Sequence, residues 1–346
     1  MLNIKNYEDL LRANDEKLEQ ALAAARNASW KVFSRKIWFY APSFAYHKTR
    51  YYCSSPTAFP SISITGWHCG LNCKHCGGKV LHTMHSATTP RKLIKLCTEL
   101  KQKGAVGCLI SGGCTPNGSV PFQKFVNSIA QIKRDLRLTV VVHTGVIHFS
   151  LAEKLKEAEV DTALIDIIGS NETIREVYKL DATVEQYDKS LKALQEADIP
   201  FVPHILVGLH YGRIKGELKA LEIISKYSPS ALTIIVFMPI RGTQMENVTP
   251  PSPEDVAKVL VAARLMFPQT PIALGCMRPK GNHRKRTDVF AVKAGVNAIA
   301  FPTEEAVQLA ESMGCKTAFS SLCCSQIYND VKKRFNRLLN VHSKTC

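Results

Sequence analysis

Nothing in this chain of 346 residues is long and apolar enough to cross a bilayer. Its longest apolar runs, such as 232–240, have the length of a strand. The first seventeen residues, MLNIKNYEDLLRANDEK, lack a basic start followed by an apolar stretch, so no secretory leader is expected. Low-complexity tracts are absent, and so is any aromatic-interleaved nucleic-acid motif or fused RNA-binding domain. These absences lead to the expectation of a soluble, cytoplasmic protein with no membrane partner, for which nucleic acid is a weak candidate. Acidic residues are also in deficit: Lys and Arg exceed Asp and Glu by 16, with basic stretches at 278–286 and 332–344. That imbalance suits an acidic partner, but it is equally what a solvated basic surface would show.

What is present is enough for a large core. Apolar residues make up 45% of the chain, and the length is ordinary for a single α/β barrel. Residues 7–29 read as an amphipathic helix, with Leu10, Leu11, Leu18, Leu22 and Ala25 at helical spacing. An aromatic stretch from Trp30 to Tyr52, broken by Pro42, is expected to pack across the mouth or bottom of the domain C-terminal to it. From residue 60 the pattern alternates. Strand-like runs at 61–65, 108–111, 138–143, 163–168, 201–207, 232–237, 272–276 and 298–301 are separated by helical segments such as 184–197 and 253–266, the latter capped by Ser252. Eight such units over about 250 residues predict an α/β fold of the (β/α)8 TIM type, with an open doubly wound sheet as the alternative. The domain reading is an N-terminal helical and aromatic extension over 1–59, the barrel over 60–328 and a basic tail over 329–346. In a barrel, chemistry collects at the C-terminal ends of the strands.

Twelve cysteines require an explanation. A secreted disulfide scaffold would be shorter and would carry a leader. Three of the twelve, Cys69, Cys73 and Cys76, lie in one loop directly after the first run, spaced C-x3-C-x2-C. Three thiolates in one tight loop can ligate three irons of a cubane and leave the fourth open. S-adenosylmethionine (SAM) can chelate such an iron, and electron transfer to its sulfonium releases a 5′-deoxyadenosyl radical. Gly70, Gly77 and Gly78 allow the backbone to turn around the cluster. The competing reading, a zinc site, normally takes two separated pairs of ligands, and the sequence has no second pair downstream at that spacing.

The triplet and its placement are the signature of the radical SAM superfamily, which this chain resembles. The resemblance implies a [4Fe–4S] cluster on Cys69, Cys73 and Cys76, with SAM as cofactor and His75 beside it. Ser111-Gly112-Gly113-Cys114 resembles the Gly-Gly-Glu element that contacts the SAM amino group, with Cys114 where an acid is common. His143 and Asp166 close the third and fourth runs and can reach SAM, although a structural His143 is as good a reading. His204–Leu209 resembles the family's adenine-contact strand, which nominates Val207. The turn from Phe237 to Thr243 resembles that of biotin synthase-like members and nominates Met238, which core filling would also explain. Arg278 falls where a biotin synthase arginine ligates a second, sulfur-donating cluster. Cys276, Cys323 and Cys324, with Cys53 or Cys114 as further options, are candidate ligands of such an auxiliary [4Fe–4S] cluster, against a reading as inert core thiols. Cys108 is out of phase with the lumen.

Over roughly 35–328 the chain is similar to biotin synthase-related radical SAM proteins. It most resembles the second subunit of the two-protein, archaeal-type lipoyl synthase. That implies sulfur insertion into an octanoyl group on an octanoylated lipoyl carrier protein, a second radical SAM subunit as partner, and an electron donor such as ferredoxin or flavodoxin. The alternatives are a radical SAM enzyme without sulfur transfer acting on a small cofactor precursor, a non-catalytic iron–sulfur or zinc protein, and a nucleic-acid-modifying enzyme favoured by charge alone.

Overall fold

The computed structural model describes residues 7–333; most of the basic tail read over 329–346 lies outside them. Eleven strands form one parallel sheet. They are β1 (Lys36–Tyr40), β2 (Ser61–Ser63), β3 (His85–Ser86), β4 (Gly107–Ser111), β5 (Thr139–His143), β6 (Thr162–Asp166), β7 (Phe201–Val207), β8 (Leu232–Val236), β9 (Ile272–Leu274), β10 (Ala298–Ala300) and β11 (Lys316–Ser320). Their order is β3-β2-β4-β5-β6-β7-β8-β9-β10-β1-β11. The eight runs read from the sequence are β2 and β4–β10, in sequential parallel order with helices between them, as a TIM-type radical SAM fold requires. The ladder is not closed into a hydrogen-bonded ring among the described residues: β3 and β11 are its two ends.

Two helical expectations come through with their caps. Helix Pro253–Met266 starts after Ser252, whose hydroxyl accepts from the Asp255 amide at 3.0 Å. Helix Val184–Glu196 opens with a capping box between Thr183 and Gln186. The amphipathic segment 7–29 is instead two helices, Tyr7–Leu11 and Asp15–Phe33. Asn14 accepts from the Lys17 amide at 3.0 Å and caps the second, so the periodic apolar positions continue across a break in the backbone. Asn14→Ala is expected to cost about 1 kcal/mol of stability, read as a lower denaturation midpoint with the fold retained.

The aromatic stretch, expected across the mouth or bottom, divides: Pro42 and Phe44 line the barrel cavity, but the part before them is built into the sheet. Its residues 36–40 become β1, in register with both β10 (Trp38 opposite Ala298) and β11 (Trp38 opposite Ala318). The segment read as an extension therefore contributes a strand to the sheet. Backbone alternation sorts its side chains between two cores. Ile37 and Phe39 join the layer between sheet and helices, whereas Trp38 and Tyr40 join an inner cluster with Val141, Leu164 and Val202.

That inner cluster explains the last described segment. On the strands facing Trp38 and Tyr40 the inward residues are small, including Ala231, Ala273, Ala298, Ala300 and Ala318. The space left is filled by 323–330, a turn of 3-10 helix running into Ile327–Asp330. It is held by hydrogen bonds from inside the sheet. Tyr40 Oη donates to Asp330 Oδ2 at 2.6 Å, Gln326 Nε2 donates to Thr162 Oγ1 at 2.7 Å, and Tyr328 Oη donates to the Asp161 carbonyl at 2.8 Å. Thr162 begins β6, so the segment plugs the N-terminal end of the lumen. Cys323 and Cys324 stand at its upper end.

Candidate active site

The triplet loop leaves β2 through Ile64, whose amide donates to the Ser111 carbonyl at 2.8 Å. Its turns depend on Gly77 and Gly78, at φ 51° and 71°, conformations that L side chains rarely adopt. The loop is pinned to two other segments and closed by one bond within itself. Gly70 N donates to the Cys114 carbonyl at 2.7 Å, Gly77 N to the Cys73 carbonyl at 2.7 Å, and Lys74 N to the Val177 carbonyl at 2.8 Å. Gly113 is the tightest approach: a Cβ there would sit 2.0 Å from the His68 carbonyl oxygen and 2.6 Å from Cys69 Cα. Its amide donates to Thr65 Oγ1 at 2.7 Å, and that hydroxyl donates to the His68 carbonyl at 2.9 Å. The Gly-Gly element is thus a backbone shelf on which the cysteine loop rests. The Ser111 and Cys114 carbonyls accept from Ile64 and Gly70, which ties both ends of this shelf to the cysteine loop.

The donor set fits a cluster. Cys73 and Cys76 lie with His75 in one group whose ligand atoms are all within 4.8 Å of one another. A hydrogen bond from Cys73 and the nearby His75 outweigh burial and hold the Cys76 thiol down to about 4. Cys73, donating that bond, buried and facing the sulfurs of Cys76 and Cys69, is pushed far up. Thiols this close can all be deprotonated only if a cation replaces their shared proton, which is what metal ligation does.

Cys69, Cys73 and Cys76 line one wall of a cavity of about 350 Å³. Most of its surface is apolar, with Leu71, Leu180, Leu206, Ile235 and Met277 prominent. His75, Ser111, Gly112, Gly113, His143, Asp166 and Met238 also open onto it. Val207 does not. Alternation along β7 turns His204 and Leu206 to the lumen and Val207 to the helix layer, where it is fully buried, so the nominated Val207 has no side-chain access to the cavity.

Cys276, Cys323 and Cys324 line the same cavity. Burial pushes Cys276 up to about 11. Cys323 is held down to about 7 by hydrogen bonds from Cys324 and Ser325 against the effect of burial, while Cys324 is raised by donating to Cys323 and by burial. Cys114 also lines the cavity, its thiol pushed up to about 12 by burial and by neighbouring Cys69. Cys53 is elsewhere, in a backbone β-bridge with Lys48. Cys108 faces away from the lumen, buried against Cys97 between sheet and helix.

Arg278 is not available as a ligand. It is fully buried, and its guanidinium donates to both Asp288 oxygens at 2.7 and 3.0 Å, to the Gly275 carbonyl at 2.7 Å and to the Phe301 carbonyl at 3.1 Å. A cluster ligand needs a free lone pair, and this group has none to offer. Position in the chain suggested the role; Asp288, ten residues on, removes it.

The polar floor joins residues the sequence singled out with ones it did not. His143 Nε2 and Asp166 Oδ1 are 3.3 Å apart, and the Tyr178 hydroxyl donates to Asp166 Oδ2 at 3.5 Å. Burial would raise Asp166, but the His143 and His204 rings hold it down to about 2. Burial lowers His143, and the Asp166 carboxylate more than reverses this. His204 is held down to about 4, chiefly by burial. Thr65, Tyr178 and Tyr187 had no motif to announce them, and His204 lay in the strand motif that nominated Val207 instead. Only the period-two pattern His204–Leu206 on an otherwise apolar strand was a usable signal.

Comparison with known proteins agrees with this geometry. Residues 63–213 match the radical SAM superfamily, and residues 233–316 match the biotin and thiamin synthesis associated domain. Biotin synthase of Buchnera aphidicola subsp. Baizongia pistaciae is 22% identical over 250 residues, covering 69% of this chain and 70% of that protein. Biotin synthase of Leptospira interrogans serogroup Icterohaemorrhagiae serovar Lai is 22% identical over 226 residues, 62% of either chain, just under two thirds of its length. Among solved structures, methylornithine synthase superposes with a TM-score of 0.62 at 17% identity, covering 96% of this chain and 97% of that one. The [FeFe]-hydrogenase maturase HydG of Carboxydothermus hydrogenoformans gives 0.64 at 16%, covering 94% and 78%. At such identities the structures speak to the fold alone. The cysteine loop, the barrel and the matched domain identify a radical SAM domain over residues 63–213 and support a radical SAM enzyme. Within that superfamily it is biotin synthase-like, by its second domain and its relatives. Membership implies a [4Fe–4S] cluster and SAM as cofactors. Among the described residues no helix is long and apolar enough to cross a membrane.

Proposed function

We propose that this enzyme inserts sulfur into an octanoyl group carried on a lipoyl-type protein domain, in the cytoplasm, with a second radical SAM subunit and a ferredoxin- or flavodoxin-like electron donor. The observation that supports it is the second cysteine set: Cys276, Cys323 and Cys324 open onto the same apolar cavity as the triplet, from the opposite part of the lumen. When bound at Cys69, Cys73 and Cys76, the cluster supplies the electron that cleaves SAM to a 5′-deoxyadenosyl radical. His75, Ser111, Gly112, Gly113 and Met238 border that wall and are the residues proposed to hold SAM. The apolar lining accepts an alkyl chain and excludes the water that would intercept a carbon radical. Cys276, Cys323 and Cys324 are proposed to hold the auxiliary cluster, which places a sulfur source where the chain would lie. The net charge of +16 suits an acidic carrier domain.

Iron counting tests the second set. The reconstituted chain is expected to hold about eight irons, falling to about four in the Cys276→Ser, Cys323→Ser double variant, with 5′-deoxyadenosine formation retained. About four irons in the unaltered chain would remove the auxiliary cluster and favour a radical SAM reaction without sulfur transfer. Incubation with an octanoylated carrier peptide, with and without the partner subunit, then reads the substrate directly: a mass gain of one or two sulfurs supports the assignment, and an unchanged peptide in both arms refutes it.

A further inference from the structure

Between the two cysteine walls, three adjacent strands each present one metal-ligating side chain to the lumen. His143 ends β5, Asp166 ends β6 and His204 stands on β7, directly opposite Asp166 in the strand register. Their ligand atoms all lie within 4.8 Å of one another. The His143 Nε2 to Asp166 Oδ1 separation of 3.3 Å is long for a charge-assisted hydrogen bond, which prefers about 2.7–2.9 Å. It also matches the edge of a coordination shell: two donors each about 2.1 Å from one ion, at tetrahedral or octahedral angles, stand about 3.0–3.4 Å apart.

His204 supplies a second, independent indication. It is 9% exposed, and its Nδ1 is 3.1 Å from the Val202 carbonyl. A carbonyl can only accept, so the proton sits on Nδ1 and the Nε2 lone pair is left bare. This is the arrangement by which proteins orient a histidine for a metal. Tyr178, reaching Asp166 Oδ2 at 3.5 Å, braces the carboxylate from behind.

The geometry points to a mononuclear divalent-metal site of the Zn²⁺ or Fe²⁺ class, ligated by His143, Asp166 and His204 on the floor of the radical cavity. Three protein ligands leave at least one position open, and that position faces the cavity, where a carbonyl or carboxylate oxygen of the substrate would complete the shell. The site does not depend on which substrate enters, nor on the second cysteine set holding a cluster.

Cobalt(II) is the probe, because its ligand-field bands report coordination and its thiolate charge-transfer band reports sulfur. The chain is first loaded anaerobically with iron and sulfide, so that cluster cysteines are occupied, then passed over a chelating resin to strip mononuclear iron, and only then titrated. One equivalent of cobalt with ligand-field bands and no thiolate band is expected. Asp166→Asn and His204→Ala should each weaken it at least tenfold with the iron content unchanged, and His143→Gln, at a residue open to the cavity, provides the same reading should either variant fold poorly. No cobalt spectrum in the unaltered chain overturns the site, as does a spectrum carrying a thiolate band or one that the substitutions at all three positions leave unaltered.

Discussion

Replacing Cys73 by alanine is expected to bring 5′-deoxyadenosine formation to background and to remove about four irons per chain, the content of one cubane. The size of the effect comes from geometry. Cys73 is buried at the centre of the triplet and shares its proton with Cys76, so both sulfurs are positioned before any metal arrives. With three ligands the cluster is held on three irons and keeps one open for SAM; with two it is exposed to loss. The check is anaerobic reconstitution, iron analysis and chromatographic assay of 5′-deoxyadenosine with dithionite and SAM. A Cys73→Ala chain that still produced 5′-deoxyadenosine at the parent rate would refute the placement of the cluster, whatever the substrate.

The second large effect concerns stability. Asp288→Ala is expected to destabilise the fold by about 3–5 kcal/mol, because it strands a guanidinium that has no access to water. Arg278 and Asp288 are both fully buried, and Asp288 also accepts from the Thr303 amide at 3.0 Å. The pair ties the strand end after β9 to helix Asn282–Lys293 and to the strand end at Phe301. Removing both charges together, as Arg278→Met with Asp288→Leu, should cost less than the single change, since no uncompensated ion remains. Denaturant unfolding measures both. A loss below about 1 kcal/mol for Asp288→Ala would mean that the guanidinium finds water or another partner, and the pair's structural role would fall.

These two sites mark different kinds of information. Cys69, Cys73 and Cys76 lie within one loop, so their shared function is written in local spacing and could be read without a fold. Arg278 was also read by position, and wrongly. Its chemistry is decided by Asp288, Gly275 and Phe301, and only the packing of three elements brings these around it.

The same division runs through the molecule. The sequence by itself determined the eight parallel units, the capped helices and the cysteine loop at a strand end, because period, caps and short-range spacing are properties of neighbouring residues. Only the tertiary structure decided that residues 36–40 join the sheet and that 323–330 plug the lumen floor. Inward alanines on distant strands leave the room that this plug occupies, and no local pattern reports a void. Tertiary structure likewise decided that Leu206 and His204, not Val207, face the cavity, because strand register sets which alternate residues point inward. And it alone brought the ligand atoms of His143, Asp166 and His204 from three strands to within 4.8 Å of one another.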